Sequence, residues 1–476
     1  MKNQDKLGIA RGPVSSKKFD LNVETILENW GVYHAIREVI ANAIDEQILT
    51  DAKDIEISKD KDGSWKVRDY GRGLKYEHLT QNENEEKLQN PHVIGKFGIG
   101  LKDALATFER KGIRIQIRSG YGDITIGKSE KHGFEDILTL HAFVSQASEP
   151  GLVGTEFVMR GVTDDDITKA KDLFLRFSGE TEIENTKYGA VLGKKSTTAR
   201  IYINGVKVAD EEDFLFSYDI TSLTESIKKA LNRERTNVGR TAYSDRVKAI
   251  LLSCSSKEVA SLLVNDLKNF SSGKIHDELG WIDVQEHAVR IRNASGGAIF
   301  LTPEELISAA NMVDEAKNAG YEIITIPSSL KDRVRGLRDL AGNPIRELDE
   351  FYKEYNESFE FKFVSPKDLT SSEKEVFQTT DEIFKLVGGK PLAVKAVKIS
   401  ETMRREQGTF VEAEGLWERS SQSIIIKRSV LNTRDKYAGT LLHEVAHAAT
   451  NAPDVDREFE MELTKLLGMT SAKALK

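Results

Sequence analysis

Residues 34–47 read HAIREVIANAIDEQ. Within them Glu38, Asn42 and Asp45 stand four and three positions apart, which on a helix places all three on one polar stripe. Ile36, Val39, Ile40, Ala43 and Ile44 fall mostly on the opposite face. Alone, such a segment also fits an amphipathic surface helix. The segments that follow decide between a surface helix and one wall of a ligand site.

Residues 65–74, WKVRDYGRGL, read as a strand running into Asp69, Gly71 and Gly73. Glycines there let the backbone approach a ligand where a Cβ would collide, and Asp69 can accept a hydrogen bond from an adenine amino group. Residues 90–108, NPHVIGKFGIGLKDALATF, place Gly95, Gly98 and Gly100 before a helix. That arrangement aims backbone N–H groups at phosphates, and Lys96 and Lys102 add positive charge. Each signal alone is weak; three in this order are not.

The set resembles the Bergerat-fold (GHKL) ATPases shared by gyrase, the ninety-kilodalton heat-shock chaperone, histidine kinases, MutL and the microrchidia ATPases. GKFGIGLKDAL is most similar to the chaperone and microrchidia versions, and GLVGTEFVM (151–159) supplies Gly154 and Thr155 where the family has a GT pair near adenine. The resemblance covers roughly residues 25 to 162. It implies ATP and Mg²⁺, with Glu38 as the general base that orients the attacking water, Asn42 as the Mg²⁺ ligand and Asp69 as the adenine selector. Asp45, Gly71, Gly73, Lys96, Gly98, Gly100, Lys102 and Thr155 complete the implied nucleotide-contacting set. Two positions depart from the family pattern, Tyr70 and Glu46. Similar ATPases complete the site with a basic residue of the next domain. ARIYINGVKV (199–208), read as a strand, with LNRERTNVGR (231–240), resembles such a transducer, and offers Arg233, Arg235 and Arg240 for a γ-phosphate. A solvated basic turn is the plainer reading of any one of these arginines.

A second motif lies far downstream. LLHEVAHAAT (441–450) holds His443, Glu444 and His447. On a helix the two imidazoles sit one turn apart on one face, where they can share a zinc ion beside Glu444 as general base. Leu441, Val445, Ala448 and Ala449 form the buried back. The pattern resembles the zincin metallopeptidases over roughly residues 366 to 476, which implies that SIIIKR (423–428) is the edge strand aligning an extended substrate. The metzincin extension is missing, because Thr450 and Pro453 stand where that subgroup has Gly and His. In DREFEMELTKLLG (456–468) the stripe Phe459, Leu463, Leu466 and Leu467 points inward, and Glu460 lies angularly nearest to it. Glu460 is therefore the expected third ligand, with Glu462 second and Asp454 and Asp456 still open.

The 476 residues exceed what one core organises. The pattern suggests an α+β multidomain chain: a Bergerat-fold ATP-binding domain over 1–162, a transducer-like α/β domain over 163–275, a small α/β segment over 276–365 and a zincin-like domain over 366–476. In the third segment, residues near 285 read as strand, followed by a helix opened by Thr302 and Pro303 and by the strand YEIITIP. Hydrophobic residues make up 39% and charged residues 30%, the balance of a folded protein rather than a disordered one. No apolar run suits a signal peptide or a membrane span, so a cytoplasmic location is the default expectation. Cys254 is the lone cysteine, which leaves His and carboxylate as the metal ligands available. A net charge of −8 argues against a broad nucleic-acid-coating surface.

The resulting expectation is an Mg²⁺-dependent ATPase whose nucleotide state controls a zinc-dependent peptidase-like domain acting on protein or peptide. Dimerisation on ATP would be assisted by the polar residues 1 to 20. The alternative is an ATP-driven dimeric clamp or chaperone with a structural metal site, with nucleic acid as a less favoured client.

Overall fold

The computed structural model describes residues 17–23, 28–80, 85–90, 92–95, 99–231, 238–270, 273–406 and 411–475. Lys96, Gly98, Arg233, Arg235 and most of the N-terminal segment expected to reach a partner lie outside these residues. The chain divides into two compact units, Met1–Asp266 with Ser272–Ala288, and Leu267–Ser271 with Val289–Lys476. Residues 1–162 and 163–275, read from sequence as separate domains, thus fall almost wholly in one unit, each with its own sheet.

The first sheet has seven strands: β1 (Lys17–Asp20), β2 (Glu56–Lys59), β3 (Trp65–Arg68), β4 (Arg114–Ser119), β5 (Gly122–Lys131), β6 (Phe134–Ser145) and β7 (Thr155–Arg160), in the order β1-β6-β5-β4-β7-β3-β2. All its neighbours are antiparallel. In β4 and β7 alternate residues, Ile115 and Ile117 with Phe157 and Met159, point into the core, as half-buried strands require. Against them pack helices α1 (Val32–Thr50), carrying Ile36, Val39, Ile40 and Ala43, and α3 (Ile99–Arg110), carrying Leu101, Ala104, Leu105 and Phe108. Between these two lies the short helix α2 (Glu85–Gln89).

The second sheet has five strands, β8 (Thr181–Thr186), β9 (Gly189–Gly193), β10 (Ala199–Ile203), β11 (Val206–Glu211) and β12 (Ser217–Ile220), ordered β11-β10-β12-β9-β8. ARIYINGVKV is therefore not one strand but the hairpin β10–β11. Asn204 and Gly205 both take positive φ, 48° and 74°, the two left-handed positions of a tight Asn-Gly turn. A helix over Arg240–Leu251 follows the second sheet.

In the second unit Ala298–Leu301 and Glu322–Thr325 pair in parallel, joined through helices Pro303–Ser308 and Ala310–Asn318. Thr302 and Glu305 close a capping box at the first of these. The residues just before Ala298, expected as strand, are helical. A four-stranded sheet follows, ordered Phe363–Val364, Ala396–Ser400, Ser423–Lys427, Gly415–Glu418. Helix Arg434–Thr450 packs on the face that carries Ile424 and Ile426, and helix Arg457–Ala474 adds Phe459 and Leu466 to the same core. No helix among the described residues is long and apolar enough to cross a membrane.

The backbone between β3 and β7 is closely packed at Gly154. Gly154 has φ +81°, and a Cβ there would collide with the backbone of Asp69 and Tyr70. Gly154→Ala should therefore lower the unfolding free energy of this unit by about 2–4 kcal/mol, measured by denaturant melts, whereas Gly151→Ala, with open space around it, should change it by less than about 1 kcal/mol.

Candidate functional site

A cavity of about 380 Å³ opens between α1, the ends of β3 and β7, and α2. Glu38, Asn42, Asp69, Gly73, Gly95, Gly100 and Thr155 line it, as do Glu46, Arg72, Lys87 and Tyr121. Its size suits a small organic ligand.

Helix α1 is buried on both faces, which explains how its stripe is fixed. Glu38 Oε1 accepts from Arg37 Nη2 at 2.8 Å and from Arg37 Nε at 3.0 Å, and Arg37 itself lies over the Trp30 ring at 5.1 Å. Glu38 Oε2 faces the backbone of α3 at Gly100, where a Cβ would strike it. Asn42 Nδ2 donates to Glu38 O at 2.7 Å, and its Oδ1 accepts from Lys87 Nζ at 3.1 Å. Asp45, fully buried, accepts from Ile94 N at 2.6 Å and Gly95 N at 2.8 Å, and pairs with Lys87 at 3.0 Å. Asp45 is not among the lining residues. It binds the backbone at Ile94 and Gly95, just before the glycine-rich turn.

At the strand end, Asp69 is 3% exposed, and its Oδ1 accepts from Gly71 N at 3.0 Å and Thr155 N at 3.2 Å. Burial raises its pKa, and the two backbone bonds only partly offset that. Leu74 N donates to Thr155 Oγ1 at 3.0 Å, so this threonine also braces the glycine turn. Gly71 is required by a different neighbour than a ligand, since a Cβ there would run into the Glu46 side chain. Lys102 sits buried on α3, its pKa lowered by burial, and does not line the cavity. Arg240 pairs with Asp277 at 2.5 Å and lies 4.5 Å over the Phe214 ring. It is not among the cavity-lining residues.

Sequence reading missed Glu46, Arg72 and Lys87 as parts of the wall. Glu46 Oε1 accepts from Arg72 N at 2.9 Å and Nε at 2.8 Å, and Arg72 Nη1 reaches Glu86 at 2.8 Å. The unusual acidic residue after Asp45 was the available signal.

The second candidate site lies in the other unit. Nε2 of His443, Nε2 of His447 and Oδ1 of Asp454 are mutually 2.9, 3.0 and 3.2 Å apart. Zinc bonds of about 2.0–2.1 Å at tetrahedral angles put ligand atoms about 3.3 Å apart, so the three atoms fit one ion. Nδ1 of His447 donates to Ala452 O at 2.8 Å, which leaves Nε2 as the coordinating atom, and the His447 ring stacks on Phe459 at 4.3 Å. Among the described residues this is the metal-capable group of three or more, and it contains neither Glu460 nor Glu462. Glu460 is exposed and Glu462 pairs with Lys465 at 3.0 Å. Asp454 comes instead from the turn that Asn451 opens with φ 55°, while Asp456 caps the next helix at Glu458 N. Leu467, expected inward, is 65% exposed.

Glu444 is buried and its pKa is pushed up to about 8 by that burial, against a backbone bond from Trp417. It enters under strand Gly415–Glu418 because Gly415 leaves the room; a Cβ there would crowd both Glu444 and Thr440. That strand, not Ser423–Lys427, lies at an edge of the sheet, opposite Phe363–Val364. Ser423–Lys427 is flanked on both sides.

Residues 165–257 match the family described as the Mycoplasma pneumoniae MPN635 N-terminal domain. An uncharacterised protein of Mycoplasma pneumoniae is 37% identical over 243 residues, which take in 50% of this chain and 98% of that protein. This chain belongs to the family of that mycoplasma protein. A further uncharacterised protein of the same organism is 26% identical over 344 residues, 67% of this chain and 96% of the relative. Beyond this mycoplasma family, the B chain of DNA gyrase from Archaeoglobus fulgidus is 25% identical over 265 residues; the match spans 52% of this chain but only 39% of the gyrase chain. Among solved structures, the 43K ATPase domain of Thermus thermophilus gyrase B, in complex with an aminocoumarin, aligns at 14% identity with a TM-score of 0.21, over 37% of this chain and 61% of that one.

The Glu46–Arg72 pair gives a pH-dependent expectation. Burial alone would raise the Glu46 pKa, but the hydrogen bonds from Arg72 outweigh it and hold the carboxylate below its ordinary 4.5. A lowered carboxylate pKa adds stability above the unfolded value and loses it as pH falls through the folded one. Glu46→Gln should thus cost about 1 kcal/mol at neutral pH, and the difference from the unmodified protein should vanish as pH drops well below about 4, read from denaturant melts at stepped pH.

Proposed function

We propose that this chain binds ATP with Mg²⁺ in the cavity beside α1 and hydrolyses it. The observation that carries the reading is that Glu38, Asn42, Gly100, Asp69 and Thr155, from four separated stretches of sequence, line one cavity. The distant similarity to a gyrase B chain supports it.

Asp69 supplies a buried carboxylate with acceptor capacity left after its two backbone bonds, suited to an exocyclic amine such as adenine's. Arg37 holds one oxygen of Glu38 and leaves the other towards Gly100, so Glu38 can orient a water and take its proton. The Asn42 amide is turned by its own donation to Glu38 O, which presents Oδ1 as a hard oxygen ligand for Mg²⁺. Bound Mg²⁺ would neutralise phosphate charge during transfer to water. Lys96, Gly98, Arg233 and Arg235 remain proposed phosphate contacts on the strength of the resemblance, as does dimerisation on ATP. Glu38→Ala should bind ATP within about threefold of the unmodified protein yet turn it over at least ~100-fold more slowly; rapid hydrolysis by this variant would assign the base elsewhere.

A second activity is proposed for the other unit, supported by the His443, His447 and Asp454 geometry. Three protein ligands leave a fourth position for water, the arrangement of a catalytic zinc. Glu444, adjacent to His443 in sequence, is the proposed proton acceptor, a role that requires the carboxylate form disfavoured by its burial, and Gly415–Glu418, an edge strand among the described residues, offers backbone groups to an extended peptide. The rival reading, an ATP-driven clamp with a structural metal, predicts a closed four-ligand site. Full-length protein prepared without chelator should hold about one zinc per chain at this three-ligand site. His443→Ala or His447→Ala should lose it, Asp454→Ala should lose it at lower chelator concentration, and Glu460→Ala should retain it. Zinc content unaffected by His443→Ala would remove the site.

A further inference from the structure

The short helix α2 is tied to α1 by two sets of charges that converge on the nucleotide cavity. Glu86 holds Arg72 at 2.8 Å, which in turn grips Glu46 on α1. Lys87 reaches further in. Its ammonium lies 3.0 Å from Asp45 Oδ2 and 3.1 Å from Asn42 Oδ1. These two acceptors differ in what they need. Asp45 carries a fully buried charge, and its backbone donors at Ile94 and Gly95 do not neutralise it. Asn42 carries no charge, so nothing in its own electrostatics calls for an ammonium. Its Oδ1 is nevertheless the amide atom that accepts, because Nδ2 is committed to Glu38 O at 2.7 Å, and the residue lines the cavity.

We propose that Lys87 is a placeholder for the divalent cation: its ammonium occupies the Asn42 Oδ1 position that Mg²⁺ takes when nucleotide binds, and the two cations compete for that oxygen. The inference rests on the reading of the cavity as a Mg²⁺·ATP site. Mg²⁺ needs oxygen ligands at about 2.0–2.1 Å in octahedral array, and a second positive charge hydrogen-bonded to the same oxygen opposes it. Lys87 must therefore leave Oδ1 for the metal to enter, while Asp45 remains available to it as a partner. The same side chain that stabilises the empty site sets how much Mg²⁺ is required to load it. The coupling is reciprocal, since whatever Lys87 costs the metal, the metal costs Lys87's hold on α1. Because Lys87 stands on α2, its departure from Oδ1 removes one described bond between α2 and α1 and leaves the one to Asp45 in place.

The test is a Mg²⁺ titration of nucleotide binding to the full-length protein, using a non-hydrolysable ATP analogue and calorimetry or fluorescence, so that turnover plays no part. Lys87→Met should lower the free Mg²⁺ needed for half-maximal binding about tenfold. Lys87→Arg, which keeps a cation, should stay near the unmodified protein. Should Lys87→Met fail to fold because Asp45 is left with a buried charge, the pair Asp45→Asn with Lys87→Met removes both charges and carries the same comparison. An unmoved Mg²⁺ midpoint with intact nucleotide binding overturns the placeholder role alone. Weaker binding of the analogue at saturating Mg²⁺ also overturns it, and makes Lys87 a phosphate ligand instead. If the unmodified protein binds no nucleotide at any Mg²⁺ concentration, the nucleotide reading falls and this inference with it.

Discussion

The carboxylate of Asp45 has no exposure to solvent, and burying a charge is tolerable only when every oxygen is answered. Ile94 and Gly95 answer it with backbone N–H groups and Lys87 with an ammonium. Each such charge-assisted bond contributes roughly 1.5–3 kcal/mol, so the glycine-rich loop and α2 are both held to one residue of α1. Asn42 and Glu38 sit about one and two turns away on the same stripe, and their positions relative to Lys87 and Gly100 follow from that anchorage. The polar stripe is thus as much a packing face as the apolar one opposite.

What sequence could show was what is local. The spacing of Glu38, Asn42 and Asp45 fixes their common face, the glycines after Asp69 mark backbone approach, and His443 and His447 one turn apart mark a shared ligand. What it could not show depends on partners distant in the chain. Nothing near Glu46 announces Arg72, 26 residues on, and nothing near Asn42 announces Lys87. Gly71 looked like a glycine kept for a ligand, whereas it is the Glu46 side chain that requires the space.

The errors in the second unit have the same origin. Glu460 was chosen by its angle on a helix, but a turn residue is not bound by helical angles, and Asp454 reaches the imidazoles because the chain reverses at Asn451. The edge strand was assigned by proximity in sequence to the His-bearing helix. Parallel pairing of Ser423–Lys427 with Ala396–Ser400 places that strand inside the sheet and leaves Gly415–Glu418 at the rim, where its glycine admits Glu444. The Asn-Gly pair at 204–205, by contrast, was a legible hairpin signal passed over in favour of a continuous strand.

The uncharacterised mycoplasma relatives match over more of their own length than the gyrase chain does, so the nucleotide assignment must stand on the cavity's own chemistry. Its most specific element is the buried Asp69 carboxylate, an acceptor that matches the amino group of adenine and confronts the carbonyl of guanine with like polarity. Calorimetric titration of the full-length protein in Mg²⁺ with matched non-hydrolysable analogues of ATP and GTP tests this directly. The account predicts one adenine nucleotide bound per chain, preferred over the guanine analogue by about 100-fold or more; equal affinity for the two, or no binding of either, would contradict it.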